Sequence, residues 1–254
     1  MKIVVLIKAV PDTADERILD PQTYRVDREE GDQIIDEITE RALELALSVK
    51  DRDKTTEVIV ATMGPAHAIK AIRKALSMGA DSGIHVLDDS LIGADLVLTA
   101  ATLAAALRDL GAELIIAGNE STDGRAGMLP AMLSEHLGLP LLGSLTTAEM
   151  SAQGISGQRQ SEAGTQEVTA TYPAIITVTE RFAEARFPNF KGILGAKRKP
   201  VATKSAAELG AGAQSLTTVA QILPRPARSA GAKIIDDGQG ADELITFLTA
   251  RHLI

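Results

Sequence analysis

A chain of 254 residues, 45% hydrophobic, has the mass for one large α/β core with or without an appendage. Its formal net charge of −8 argues against nucleic acid as the main partner, because phosphate backbones select basic faces. There is no cysteine, which excludes disulfides, zinc–thiolate centres, iron–sulfur clusters and thiol catalysis.

The opening run, Ile3 to Val10, is rich in β-branched residues and reads as a buried first strand. Its apolar part is stopped by Lys8 and is too short for a signal peptide, and no later stretch is long and apolar enough to span a bilayer. No membrane insertion and a cytoplasmic location are the expectations. From Pro11 to about Asp36 runs a loop too long for a minimal β–α connection, a length usually tied to function. Asp51-Arg52-Asp53-Lys54 reads as a solvated helix end.

Val58-Ile59-Val60-Ala61 predicts the second strand, and Gly64-Pro65 a turn opening a helix with Ile69, Ile72 and Leu76 on one face, ending at Gly79. Ile84 to Leu87 is a third strand. A helix follows with Leu96, Ala100, Leu103 and Leu107 on one face, and Leu114 to Ala117 is a fourth strand. Near-continuous apolar strands alternating with helices imply a parallel sheet covered on both faces.

Past Leu142 the texture changes. Thr146 to Gly157 and Gln166 to Thr179 alternate in polarity, as in an antiparallel pair with one wet face. Glu180 to Pro200 has little periodicity. The tail is rich in Ala, Gly and Ser and ends in an amphipathic pattern with Leu244, Phe247 and Leu248. The fold class expected is α/β: a doubly wound, mostly parallel, nucleotide-binding sheet with an antiparallel addition and an extended C-terminal arm. The α/β domain is drawn over 1–200 and the arm over 201–254, which lacks the apolar mass for its own core.

The candidate site is Gly118-Asn119-Glu120-Ser121-Thr122-Asp123-Gly124-Arg125-Ala126-Gly127, after a parallel strand and before a helical pattern with Met132, Leu133 and Leu137. Ligands of open α/β sheets bind beyond the carboxyl ends of the strands, and small residues there let backbone N–H groups reach a phosphate. A polar, well-capped loop fits the same residues. Neither a Rossmann G-x-G-x-x-G after the first strand nor a Walker A sequence is present. The four histidines show no metal spacing and no nucleophile arrangement, and His85, inside an apolar strand, reads as a hydrogen-bonded core residue. Electron chemistry in such a chain needs a bound organic cofactor.

Several segments taken together resemble the beta subunit of electron-transfer flavoproteins. They are Val4 to Lys8 with Val10-Pro11-Asp12, and Met63-Gly64-Pro65 with Ile72 to Asp81. Gly118 to Gly124 follows, then Gly157-Gln158-Arg159-Gln160-Ser161-Glu162-Ala163-Gly164 with Tyr172 to Thr177, and finally Arg186-Phe187-Pro188 to Lys199. The resemblance covers nearly the whole chain in the right order. It departs at Asn119-Glu120, where Lys-Gln is more usual, and at Gln160, where some members have a glutamate that helps set domain orientation.

The resemblance implies an electron-carrier subunit without bond-making catalysis of its own. An alpha subunit would hold most of an FAD at the heterodimer interface, and this chain would bury an AMP, or a second FAD in bifurcating members. Electrons would come from dehydrogenases such as those oxidising acyl-CoA and leave to a quinone reductase. The implied nucleotide residues are Leu6, Asp36, Glu37, Ile38, Thr39, Met63, Asn119, Glu120, Ser121, Thr122, Asp123, Gly124, Arg125, Ala126, Gly127, Met128, Leu129 and Pro130. The loop at about 184–199 would recognise redox partners through Phe187, Phe190, Lys191 and Ile193, and the arm would dock on the alpha subunit. A stand-alone nucleotide-binding stress or signalling protein of similar fold is the alternative from another class.

Overall fold

In the computed structural model, which describes residues 1–28, 31–211, 214–223, 226–231, 233 and 235–254, strand β1 (Lys2–Leu6) sends Ile3 and Val5 to one face and Val4 and Leu6 to the other. All four are buried, and a strand buried on both faces requires helices on both. Helix α1 (Glu37–Arg52) packs Ala42, Leu43, Ala46 and Leu47 against the first face. Strand β4 (Glu57–Met63) follows, and α2 (Ile69–Met78) joins α1 on that face through Ile72, Ala75 and Leu76. After β5 (Ser82–Val86) the chain crosses to the other face. There α3 (Leu96–Arg108) and α4 (Leu129–Leu137), on either side of β6 (Leu114–Gly118), bury Leu98, Leu103, Leu107 and Leu133. Doubly wound packing is thus observed, as expected from the apolar runs.

The first run does not stay one strand. Ala9–Pro11 (β2) leaves the sheet and pairs antiparallel with β3 (Gln33–Ile35). The break falls at Lys8, whose ammonium cannot enter the apolar layer and turns instead to polar groups beyond the strand end. The two alternating stretches resolve into four strands: β7 (Leu141–Met150), β8 (Gly154–Ser161), β9 (Gly164–Thr171) and β10 (Ala174–Val178). Alternation runs on through the tight turn after β7, closed by the Ser151 N–H donating to Gly154 O at 2.9 Å. β10, expected as part of a wet-faced antiparallel strand, is instead buried on both faces and parallel to β6 and β7. Strand β11 (Val201–Lys204) adds the far edge. The order is β11-β5-β4-β1-β6-β10-β7-β8-β9, parallel as far as β7 and antiparallel beyond it.

Within the stretch from Glu180 to Pro200 lies a short helix, α5 (Phe190–Ala196), capped by Asn189, whose side chain accepts from Gly192 N–H at 2.8 Å. Two glycines and a short span hide it from a periodicity argument. His85 is buried, with Nε2 3.0 Å from the Gly64 carbonyl oxygen, where it pins the turn after β4.

The chain divides into two compact units, Met1–Ala220 and Gln221–Ile254. In the first, the stretch after β11 is fastened by two aspartates. Asp88 accepts from Ala206 N–H at 2.9 Å, and Asp95, the cap of α3, also accepts from the N–H groups of Leu216 and Thr217 at 2.7 and 2.9 Å. In the second, Asp236 receives the N–H groups of Gly238 and Gly240 ahead of α6 (Gly240–Ala250), whose Leu244, Ile245 and Phe247 are exposed.

Candidate functional site

Strand β1 is followed on one side by β4 and on the other by β6, so the chain reverses its winding between β1 and β6. A crevice opens at such a switch point, beyond the carboxyl ends of the strands, and ligands settle there. Three segments meet at it: Lys8 after β1, the start of α1, and the loop 119–128 after β6.

Asp36 organises the junction. It is fully buried and caps α1, its Oδ1 accepting from the N–H groups of Ile38 and Thr39 at 3.1 and 3.3 Å. Its Oδ2 accepts from the Thr122 N–H at 2.6 Å and the Thr122 hydroxyl at 2.7 Å. One carboxylate therefore holds the helix and the loop together. Gly118 permits this approach, since a Cβ there would lie 3.0 Å from Ile38 Cγ2 and 3.3 Å from Thr39 Cγ2. Thr39 Oγ1 donates to Asp36 O at 2.9 Å and accepts from Lys8 N–H at 3.4 Å.

Asp123 is the second anchor, its side chain 1% exposed. Lys8 Nζ donates to its Oδ1 at 2.7 Å and to Ser121 Oγ at 3.2 Å, Arg28 donates to its Oδ2, and Gly124 N–H reaches Oδ1 at 2.6 Å. Burial raises the Asp123 carboxyl, but the charge and hydrogen bond of Lys8, with the hydrogen bonds of Arg28 and Ser121, hold it well below the usual carboxylate range. Arg125 turns outward with φ 50° and reaches Glu120 at 3.4 Å.

The loop leads into α4, which has no side-chain cap and carries Pro130, buried, in its first turn. Uncapped N–H groups at a helix start, with the dipole behind them, suit an anion. Ala126, Gly127 and Met128 are exposed in front of it, and Leu129 is half-buried. Asn119 donates its N–H to Val178 O at 2.9 Å, while its side-chain Oδ1 is buried without a partner, as a polar ligand's donor would require. The residues present fit a nucleotide phosphate with an additional donor group.

Of the other residues named from the sequence, Glu37 accepts from the Thr13 hydroxyl at 2.7 Å at the rim, and Ile38 is buried beneath the loop. Leu6 and Met63 end β1 and β4 on the α3–α4 side. Leu6 is buried in that core, so it presents backbone to the crevice. Lys8 and Arg28 were not singled out as site residues. Lys8 carried a signal, a cation set directly after an apolar strand. Arg28 carried none, because its contact spans 95 positions.

Phe187, Phe190, Lys191 and Ile193 are not part of this crevice. Arg186 forks onto Glu44 of α1 at 2.7 and 2.8 Å and reaches Asp51 at 2.7 Å, which ties this loop to the half of α1 away from Asp36. Arg73 donates to the carbonyls of Ala196 and Lys199, both at 2.8 Å. On this fixed frame Phe187 is 94% and Phe190 77% exposed, with Ile193 beside them and Lys191 exposed. Among the described residues no group of three or more His, Asp or Glu could hold a metal ion, and no helix is long and apolar enough to cross a membrane.

A family model described as the electron transfer flavoprotein domain matches residues 23–209, which include the Asp36 junction, the 119–128 loop and α5. The chain is 44% identical to the electron transfer flavoprotein subunit beta of Mycobacterium bovis over 263 aligned positions, 99% of each chain. It belongs to the electron transfer flavoprotein subunit beta family. The beta subunit of Megasphaera elsdenii is 31% identical over the full length of both chains. At 30% identity, also over both full lengths, is a caffeyl-CoA reductase-Etf complex subunit, CarD, of Acetobacterium woodii. Membership carries a role in electron transfer, as the partner of an alpha subunit in a heterodimer that associates with a flavin.

Proposed function

We propose that this chain buries an AMP at the β1–β6 switch point, forms one wall of an FAD site completed by an alpha subunit, and presents α5 to redox partners. Electrons come from dehydrogenases, acyl-CoA dehydrogenases among them, and pass to a quinone reductase in the cytoplasm. Bond-making catalysis stays with those partners. The observation that carries the reading is the loop 119–128, held by Asp36 and Asp123 in front of the uncapped start of α4. The flavin, when bound, accepts and donates the electrons. This chain's residues bind and position: backbone N–H groups face the phosphate, Asp36 sets the loop, and Lys8 and Arg28 offset the charge of Asp123.

Exposed Phe187 and Phe190 support a docking role, since rigid aromatic side chains on a fixed loop are favourable anchors in a partner's pocket. From Phe187 to Arg198 there are three cations, Lys191, Lys197 and Arg198, and no carboxylate, in a chain of net charge −8. An acidic rim around an apolar pocket is the complementary surface. Residues beyond 200 are assigned to the arm that docks on the alpha subunit, and the exposed Leu244, Ile245 and Phe247 of α6 supply its apolar face.

The test is co-expression with an alpha subunit of the same family. Flavin absorption appearing only in the complex, and bleaching when an acyl-CoA dehydrogenase and its substrate are added, supports the reading. A stable complex without flavin, or a flavin that no dehydrogenase reduces, overturns it.

A further inference from the structure

A loop that receives a phosphate is a poor place for a carboxylate, yet Asp123 stands in it. The geometry resolves the conflict. Asp123 is turned inward and both its oxygens are engaged, one by Lys8 and the Gly124 N–H, the other by Arg28. Two cations on one anion leave the cluster with a net positive charge, next to a loop rich in small residues.

Arg28 comes from neither the sheet nor the loop. It belongs to a strap described over residues 12–28, which leaves the body at β2, and whose base is closed by Asp12 N–H donating to Asp32 O, next to β3, at 3.0 Å. Leu19 and Val26 bridge within it. Its second guanidinium nitrogen donates to Ala9 O at 3.3 Å, so Arg28 ties β2, the strap and the phosphate loop at one point. Three residues earlier, the guanidinium of Arg25 lies against Gly93, beyond the end of β5, so closely that no side-chain carbon could stand there. β5 and β6 lie on opposite sides of β1 and β4 in the sheet. The strap therefore crosses the carboxyl edge, with Arg25 at one end and Arg28 at the other.

We infer that Arg28 is a positioning residue that latches the strap of residues 12–28 across the nucleotide crevice through Asp123, so that strap closure and retention of the nucleotide phosphate are coupled. The inference rests on the nucleotide reading above. Without Arg28 the strap is released, and Asp123 keeps one cation, which cancels the cluster's surplus positive charge. An ion pair that fails at this one point thus weakens phosphate binding and opens the crevice together.

The test uses the full-length chain with AMP as the probe, measured by equilibrium dialysis, beside tryptic cleavage after Arg17 and Arg25 and thermal unfolding by circular dichroism. Arg28→Met is expected to weaken AMP binding about tenfold, the loss of one charge-assisted hydrogen bond, and to speed cleavage of the strap. Its melting temperature falls, because a buried carboxylate loses one of its two cations, but the variant stays folded at the assay temperature. Arg28→Lys keeps the charge but not the fork and is expected to recover most of both effects. Unchanged AMP affinity in Arg28→Met, with or without faster cleavage, overturns the coupling. A lysine variant no better than the methionine one overturns the ion-pair account. A wild-type chain that binds no AMP removes the nucleotide reading itself.

Discussion

Asp36 and Thr122 are 86 positions apart, yet the Asp36 carboxylate accepts from both the backbone N–H and the hydroxyl of Thr122, at 2.6 and 2.7 Å. The same carboxylate caps α1 with its other oxygen. Thus the residue that starts a helix on one face of the sheet also shapes the loop at the switch point.

Replacing Asp36 with alanine removes a helix cap and strands two half-buried donors. The expected cost is roughly 3 kcal/mol, about 1 for the cap and 1–3 for the unpaired loop groups. Urea unfolding of Asp36→Ala measures it. A loss confined to the cap would mean that the Thr122 bonds contribute nothing.

Gly124→Val separates binding from folding. A Cβ at this position meets only Ser121 Oγ at 3.4 Å and Lys8 Nζ at 3.7 Å, so the fold should tolerate the substitution within about 1 kcal/mol. The branched side chain then stands where the phosphate approaches the loop. Loss of bound AMP, with unfolding of the nucleotide-free chain unchanged, is the expected outcome, and full AMP occupancy in the variant would show that the phosphate lies elsewhere.

The pH dependence follows from Asp123. Lys8, Arg28, Ser121 Oγ and the Gly124 N–H face its carboxylate and hold its folded-state pKa below the unfolded value. A depressed carboxylate contributes stability that is complete above about pH 4 and declines as pH falls below it, because the unfolded chain takes up the proton first. Asp123→Asn should flatten this part of the acid limb. Parallel acid limbs for variant and wild type would assign the slope to other carboxylates.

Phe190→Ala addresses partner docking. With the side chain 77% exposed, truncation should leave stability within about 0.5 kcal/mol. If Phe190 is an anchor, affinity for the partner dehydrogenase falls by about 2 kcal/mol, about thirtyfold. The expected signature is a raised KM for the heterodimer as electron acceptor, with flavin content unchanged. Normal partner kinetics would remove Phe190 from the interface.

Much of the fold was legible because β1, β4, β5 and β6 are buried on both faces and therefore read as unbroken apolar runs. The loop after β6 was legible for a related reason: a glycine-bounded polar stretch between a parallel strand and a helix has few other places to be. Helix α1 was legible beyond its charged end, since Ala42, Leu43, Ala46 and Leu47 form the stripe of an amphipathic helix behind the Asp36 cap, and the long loop before it drew the reading away. The turn after β7 was missed because polar alternation passes through Ser151 to Gln153 without a Pro or Asn-Gly mark, and the break between β9 and β10 was missed although Pro173 stands in it. The partners of Asp36 and Asp123 were beyond reach of the sequence, because Thr122, Lys8 and Arg28 meet them only once the sheet has placed distant segments side by side.

The most direct test of the central claim is a count of the nucleotides released on acid denaturation of the purified heterodimer, by chromatography with mass detection. Equal amounts of FAD and AMP are expected, with AMP, but not FAD, lost from the Gly124→Val heterodimer. A wild-type heterodimer that releases FAD with no adenine nucleotide beside it would contradict a phosphate site at the Asp36–Asp123 loop.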